Sequence, residues 1–151
     1  RRQMETSLTD VRAALDKVMS PAEARVLSPL VLAWIGDSVY TDAVRKYLVT
    51  VSIGTIDRLN KNSVAYVKAG GQAAAMHAIE DSGALTEDEE GVVRRGRNTQ
   101  SHVPKNAKVS DYRYATAFEA LIGYLSLTGE TERMNEFVCV GIETIVNAKK
   151  A

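Results

Sequence analysis

Two acidic residues stand alone in segments that are otherwise apolar. Asp37 lies in the segment from Leu30 to Tyr40, and Glu119 lies in the segment from Ala115 to Leu125. A buried carboxylate is costly unless a cation or hydrogen bonds compensate it, so we expect these two acids to meet in the fold. Adjacent carboxylates repel unless a proton or a cation lies between them, and a hard divalent ion suits their oxygen ligands. The alternative is that each acid pairs with a basic side chain or caps a buried backbone group.

A basic segment runs from Val92 to Ser110 without a single acidic residue. Its cations and hydrogen-bonding side chains are of the types that contact phosphates. The candidates for such contacts are Arg94, Arg95, Arg97, Asn98, His102, Lys105 and Lys108. The alternative is a solvated helix end, where the three arginines only complement the negative end of the helix dipole.

Other reactive side chains are few. Two histidines and one cysteine make a tetrahedral zinc site without carboxylates impossible, so zinc is set aside. We expect His77 to be a packed histidine and Cys139 to be a small core residue. A single cysteine also excludes an internal disulfide, which is typical of the reducing cytosol.

The totals describe an ordinary globular chain. It has 151 residues, 45% hydrophobic and 25% charged, which predicts one domain with a sizeable core. Nineteen basic and nineteen acidic residues cancel, which argues against a protein that coats nucleic acid but leaves room for a local basic patch. No run approaches the roughly 18 to 20 apolar residues of a membrane span.

The pattern of apolar residues and capping signals predicts an all-α fold, because two-residue alternation is nowhere sustained. Capping boxes are expected at Ser20–Glu23 and Thr86–Glu89, and Ser110-Asp111 is expected to cap a later helix. The Gly70-Gly71 pair is expected to kink or interrupt its helix. The predicted helices span about 8–19, a short stretch from 21, then 30–48, 56–79, 87–97, 112–127 and 130–148.

These motifs resemble those of a known nuclease family. The segment 32–40 is similar to the signature helix of the ribonuclease III family, and 118–123 is similar to its second acidic motif. The blocks 94–106 and 112–121 resemble mini-ribonuclease III in particular, a short bacterial branch that has the catalytic domain without a separate double-stranded-RNA-binding domain. The resemblance covers about residues 27–138.

The resemblance implies an all-α endonuclease domain that dimerises with itself to form one valley for double-stranded RNA. Each subunit would use magnesium to activate water for phosphodiester hydrolysis, with Asp37 in the place of the signature aspartate and Glu119 in that of the essential glutamate. The implied substrate is precursor large-subunit ribosomal RNA in the cytoplasm, and an RNA complex with a ribosomal protein is a candidate form of it. No membrane role is implied.

Three positions depart from the family pattern. Full-length ribonuclease III enzymes carry acids where this chain has Ala33 and Thr116, and many mini-ribonucleases carry an acid where it has Lys108. We expect weaker metal binding, or more ligation by water and RNA phosphates, and the number of cations stays open. A catalytically weak module that binds double-stranded RNA is therefore the second hypothesis, and a helical protein-interaction domain is the third.

Overall fold

A computed structural model of the chain describes residues 8–99 and 102–150, and the described residues form α-helices with no strand. The expected all-α class is confirmed. The helices are α1 (Leu8–Asp16), α2 (Pro21–Val26), α3 (Pro29–Val51), α4 (Ile56–Val67), α5 (Ala69–Ser82), α6 (Glu87–Asn98), α7 (Val109–Leu127) and α8 (Thr131–Lys150).

The central element is α7, which packs against α3, α5, α6 and α8. Its residues from Ala115 to Leu125 are buried with the exception of Glu119, which is partly buried. A helix that is apolar all round must be surrounded by other elements, so this position follows from its sequence. Edge-to-face packing of Tyr40 on Phe118, with ring centroids 4.8 Å apart, joins α7 to α3 within the core.

The backbones of α3 and α7 touch where the two helices cross. A Cβ atom on Gly36 would lie 1.8 Å from the carbonyl oxygen of Glu119, and one on Gly123 would lie 1.8 Å from that of Leu32. Only glycine allows so close an approach. The crossing places Asp37, the residue after Gly36, beside Glu119.

The predicted helix starts are largely confirmed. Ser20 and Thr86 both form capping boxes, with Glu23 and Glu89 respectively. The long helix α3 begins at Pro29, one residue before the predicted start, and runs three residues beyond the predicted end. Gly129 has a left-handed φ of 73° just beyond the end of α7, a conformation that commonly closes a helix.

Three more helix boundaries differ from the sequence-based prediction. The helix expected over 56–79 is two helices, and the break lies at Lys68 rather than at the glycine pair. A Cβ on Gly71 would lie 2.2 Å from the carbonyl oxygen of Ala65, so this glycine allows α5 to pack tightly against the end of α4. The Ser110-Asp111 cap is also wrong, because α7 begins at Val109, and α1 ends at Asp16 rather than at residue 19.

A buried ion pair fixes α6 to α8. Glu89 is 4% exposed and receives hydrogen bonds from Arg133 at 2.9 and 2.8 Å. The same carboxylate accepts the backbone N–H of Thr86 in the capping box. These bonds hold the helix that leads into the basic segment. Within the part of the chain that the structure describes, no helix is both long and apolar enough to cross a membrane.

Candidate active site

Asp37 and Glu119 interact at the crossing of α3 and α7, as the sequence predicted. Burial is the main reason that the pKa of Glu119 rises from 4.5 to about 8, followed by a hydrogen bond with Asp37 and the charge of that residue. Two carboxyl groups in contact are stable when one proton or one cation lies between them. At neutral pH, Glu119 therefore keeps its proton unless a cation takes its place.

The expectation that Asp37 is buried is wrong. Its side chain is exposed, because only the inner face of α3, with residues such as Leu32 and Tyr40, packs into the core. The outer face carries Trp34, which is 76% exposed, and Leu30 with Val31 beside it. The cost of desolvation therefore falls on Glu119, while Asp37 is accessible from solvent.

A third polar side chain at this site was missed by the sequence reasoning. Gln72, on α5, is 2% exposed. Its amide interacts with Glu119 and lowers the pKa of that carboxyl group, against the larger effects of burial and Asp37. Its Nε2 atom is buried and makes no hydrogen bond of normal length and angle. The sequence feature that could have identified Gln72 is its position as a lone amide among the small apolar residues at the start of α5.

The two positions where the family carries further acids contribute no ligand. Ala33 is buried, and the buried Thr116 hydroxyl donates to the carbonyl oxygen of Tyr112 in its own helix at 2.9 Å. Over residues 8–99 and 102–150, no group of three or more His, Cys, Asp or Glu side chains is placed to hold a metal ion. The carboxylates at this site are therefore those of Asp37 and Glu119.

A divalent cation with oxygen ligands fits this arrangement. The pair offers carboxylate oxygens, and burial beside Asp37 raises the pKa of Glu119, a cost that a cation between the two acids would offset. Magnesium commonly binds through one or two carboxylates and completes its shell with water and phosphate oxygens. Asp37 and Glu119 would hold it, and the exposure of Asp37 leaves room for the remaining ligands.

The basic segment divides into fixed and free side chains. Arg97 forms an ion pair with Glu80 at 2.7 Å and lies over the ring of Tyr114, so it holds helices together. Arg95 is partly buried, with one guanidinium nitrogen inaccessible to solvent. The exposed members of the predicted set are Arg94, Asn98, His102, Lys105 and Lys108, and Asn98 also accepts a bond from Arg113.

The start of α7 connects this segment to the site. Asp111, in the first turn of α7, lies beside Gly70, where an added Cβ would be 3.6 Å from its carboxylate. Gly70 is two residues from Gln72 on α5. The C-terminal end of the basic segment therefore enters α7 next to α5, the helix that carries Gln72.

The remaining candidates, His77 and Cys139, have no part in the site. His77 is exposed, and its ring packs on Tyr114 with centroids 4.1 Å apart. The expectation that Cys139 belongs to the core is wrong, because α8 turns Phe137 and Val138 inward and leaves the thiol exposed.

Comparisons with known proteins agree in pointing to one family. The family described as Ribonuclease III domain matches residues 30–130. A Mini-ribonuclease 3 of Thermoanaerobacter is 47% identical over 120 residues, which cover 79% of this chain and 83% of the relative. One from Symbiobacterium thermophilum is 43% identical, covering 78% and 90% of the two chains. A crystal structure of a Fusobacterium nucleatum protein, 30% identical, superposes with a TM-score of 0.68 over 77% of this chain and 92% of that one.

Proposed function

This chain belongs to the ribonuclease III family of double-stranded-RNA endoribonucleases, and on that basis we propose that Asp37 and Glu119 form its catalytic centre with magnesium. The observation that carries the assignment is their contact at the crossing of α3 and α7, where Glu119 has a pKa of about 8. Perturbed carboxyl pairs of this kind are concentrated at functional sites.

The two acids have different tasks in the proposed mechanism. When bound, magnesium would supply positive charge to stabilise the attacking and leaving oxygens of phosphodiester hydrolysis and would lower the pKa of a water molecule. Asp37 is exposed and would bind the cation from the solvent side. Glu119 is partly buried and must give up its proton to bind, and the close packing at Gly36 fixes the backbone that carries it.

The active centre has fewer carboxylates than the pattern of full-length family members. Because Ala33 and Thr116 provide no carboxylate, water and RNA phosphates would supply more of the ligands. The same observation favours a second candidate function, a catalytically weak module that binds double-stranded RNA. A cleavage assay separates the two candidates.

We further propose that the chain acts as a symmetric homodimer. Duplex RNA has two strands to cut, and each subunit supplies one pair of acids. The outer face of α3 is a candidate interface, because Trp34 is 76% exposed and Leu30 and Val31 are each 43% exposed on the same helix. Apolar patches of this kind commonly mark interaction sites.

The proposed contacts with RNA are made by the exposed side chains of the basic segment. Cations there would bind phosphates without reading the bases, since the major groove of A-form RNA is too deep and narrow for side chains. The resemblance to mini-ribonuclease III supports precursor large-subunit ribosomal RNA as the substrate, in the cytoplasm, with a bound ribosomal protein as a candidate part of it.

The test is cleavage of a perfect RNA duplex with and without magnesium by wild type and by Asp37→Asn. We expect magnesium-dependent cutting by wild type alone. Asp42→Asn is the matched control, since Asp42 is an exposed acid on the same helix, paired with Lys46. Cutting by Asp37→Asn at the wild-type rate would refute the assigned site, and binding without any cutting by wild type would favour the second candidate.

A further inference from the structure

Gln72 is a buried polar residue whose hydrogen bonding is incomplete. Among the described residues, three buried side-chain atoms lack a partner: the Tyr40 hydroxyl, the Gln72 Nε2 atom and one nitrogen of Arg95. Of these, Gln72 alone interacts with an acid of the candidate active site. A buried donor without an acceptor is destabilising, because it has lost its hydrogen bonds to water. The position of this amide therefore calls for a function that offsets its cost.

The backbone around Gln72 is firmly fixed. Its N–H donates to the carbonyl oxygen of Lys68 at 3.1 Å, in the first turn of α5. The neighbouring Gly71 lies so close to Ala65 that a Cβ would be 2.2 Å from its carbonyl oxygen. The α5 helix also packs along α7. Gln72 is thus held against Glu119 by the fold and not by a flexible loop.

The donor of Gln72 suits a charged Glu119 better than a neutral one. Hydrogen bonds from an N–H group to an ionised carboxylate are shorter and about twice as strong as bonds between neutral groups. Glu119 hydrogen-bonds with Asp37, and Gln72 interacts with the same carboxyl group, although its Nε2 atom forms no hydrogen bond of normal length and angle. A carboxylate that binds a cation through one oxygen can accept this N–H through the other.

We propose that Gln72 is a positioning residue of the cation site, whose Nε2–H donates to the Glu119 carboxylate and orients it toward the cation shared with Asp37. This inference rests on the proposed function. The site has no acids at Ala33 and Thr116, and on this proposal Gln72 keeps Glu119 in one orientation there. Groups that orient metal ligands strongly affect metal affinity.

The test measures metal binding directly, by calorimetric titration of manganese into the protein without RNA, for wild type and Gln72→Met. Methionine has a similar shape and lacks the donor, so the fold should be at least as stable in thermal melts. We expect manganese affinity to fall about 10- to 100-fold. The magnesium concentration for half-maximal cleavage should rise similarly, while the rate at saturating magnesium stays near that of wild type. Thr116→Val, a buried polar-to-apolar change on α7, is the matched control and should change neither value.

One further variant keeps the inference open to refutation. Gln72→Asn keeps an amide but is one methylene shorter, so it should lose manganese affinity as Gln72→Met does. Wild-type manganese affinity in both variants would overturn the positioning role.

Failure of this inference is distinguishable from failure of the proposed function. If wild type binds manganese and cuts duplex RNA while Gln72→Met and Gln72→Asn bind manganese equally well, only the role of Gln72 is refuted. If wild type neither binds manganese nor cuts, the cation site is wrong and this inference is overturned with it.

Discussion

Replacing Glu119 by glutamine should make the metal-free protein more stable, and the gain should grow with pH. The pKa of Glu119 is about 8 in the folded protein and 4.5 in the unfolded chain, so the folded form keeps a proton that the unfolded form loses. Its contribution to stability is complete below pH 4.5 and is lost as pH rises to 8. At 1.36 kcal/mol per pH unit for one proton, the loss is on the order of 5 kcal/mol at most.

The assay is urea unfolding of wild type and Glu119→Gln in EDTA, from pH 4.5 to 9. Glutamine has no proton to lose, so the difference between the two free energies of unfolding should be small at pH 4.5 and several kcal/mol by pH 8.5. Magnesium at pH 8.5 should restore stability to wild type only. Parallel curves across this range would refute the reasoning that Glu119 is protonated beside Asp37.

Three other changes test the crossing, the RNA interface and the dimer. Gly36→Ala should lower the free energy of unfolding by about 3 kcal/mol or more, because its Cβ would meet the Glu119 carbonyl oxygen, whereas Gly91→Ala has nothing nearer than 3.9 Å and should be neutral or stabilising in urea unfolding. Trp34→Glu should shift the protein from dimer to monomer in light scattering, and a wild-type monomer at every concentration would contradict the dimer. For the RNA interface, duplex affinity is measured against salt concentration, in calcium to suppress cutting. Replacing the three exposed cations Arg94, Lys105 and Lys108 by alanine should make the plot of log affinity against log salt shallower, by about 1 for each of them that binds a phosphate. An unchanged slope would mean that the duplex is bound elsewhere.

The fold class and most helix starts could be predicted because their causes are local. The boxes at Ser20 and Thr86 satisfy free N–H groups of their own helices, and Gly129 supplies a left-handed φ that ends α7. The meeting of Asp37 with Glu119 was also predictable. Each acid stands alone in an apolar segment, and a shared site compensates both.

What could not be predicted depends on packing between helices. The apolar pattern of α3 does not say which face is covered within the chain. It therefore favours an interior position for Asp37, although the face with Trp34 is exposed. Arg97 forms its ion pair with Glu80, a residue seventeen positions earlier in the sequence, because α5 and α6 bring the two side chains together. Gln72 meets Glu119 only because α5 breaks from α4 at Lys68, a tertiary feature that local propensity does not contain.

The central claim is that Asp37 and Glu119 act together on one cation during RNA cleavage. The most direct measurement is the single-turnover rate of duplex RNA cleavage at saturating magnesium for wild type, Asp37→Asn, Glu119→Gln and the double variant, each first shown to be folded. Groups that work as a unit are strongly non-additive, so each single change should abolish cutting almost completely and the double variant should be little worse than either. Two partial losses that multiply in the double variant, or either single variant cutting as fast as wild type, would contradict the claim.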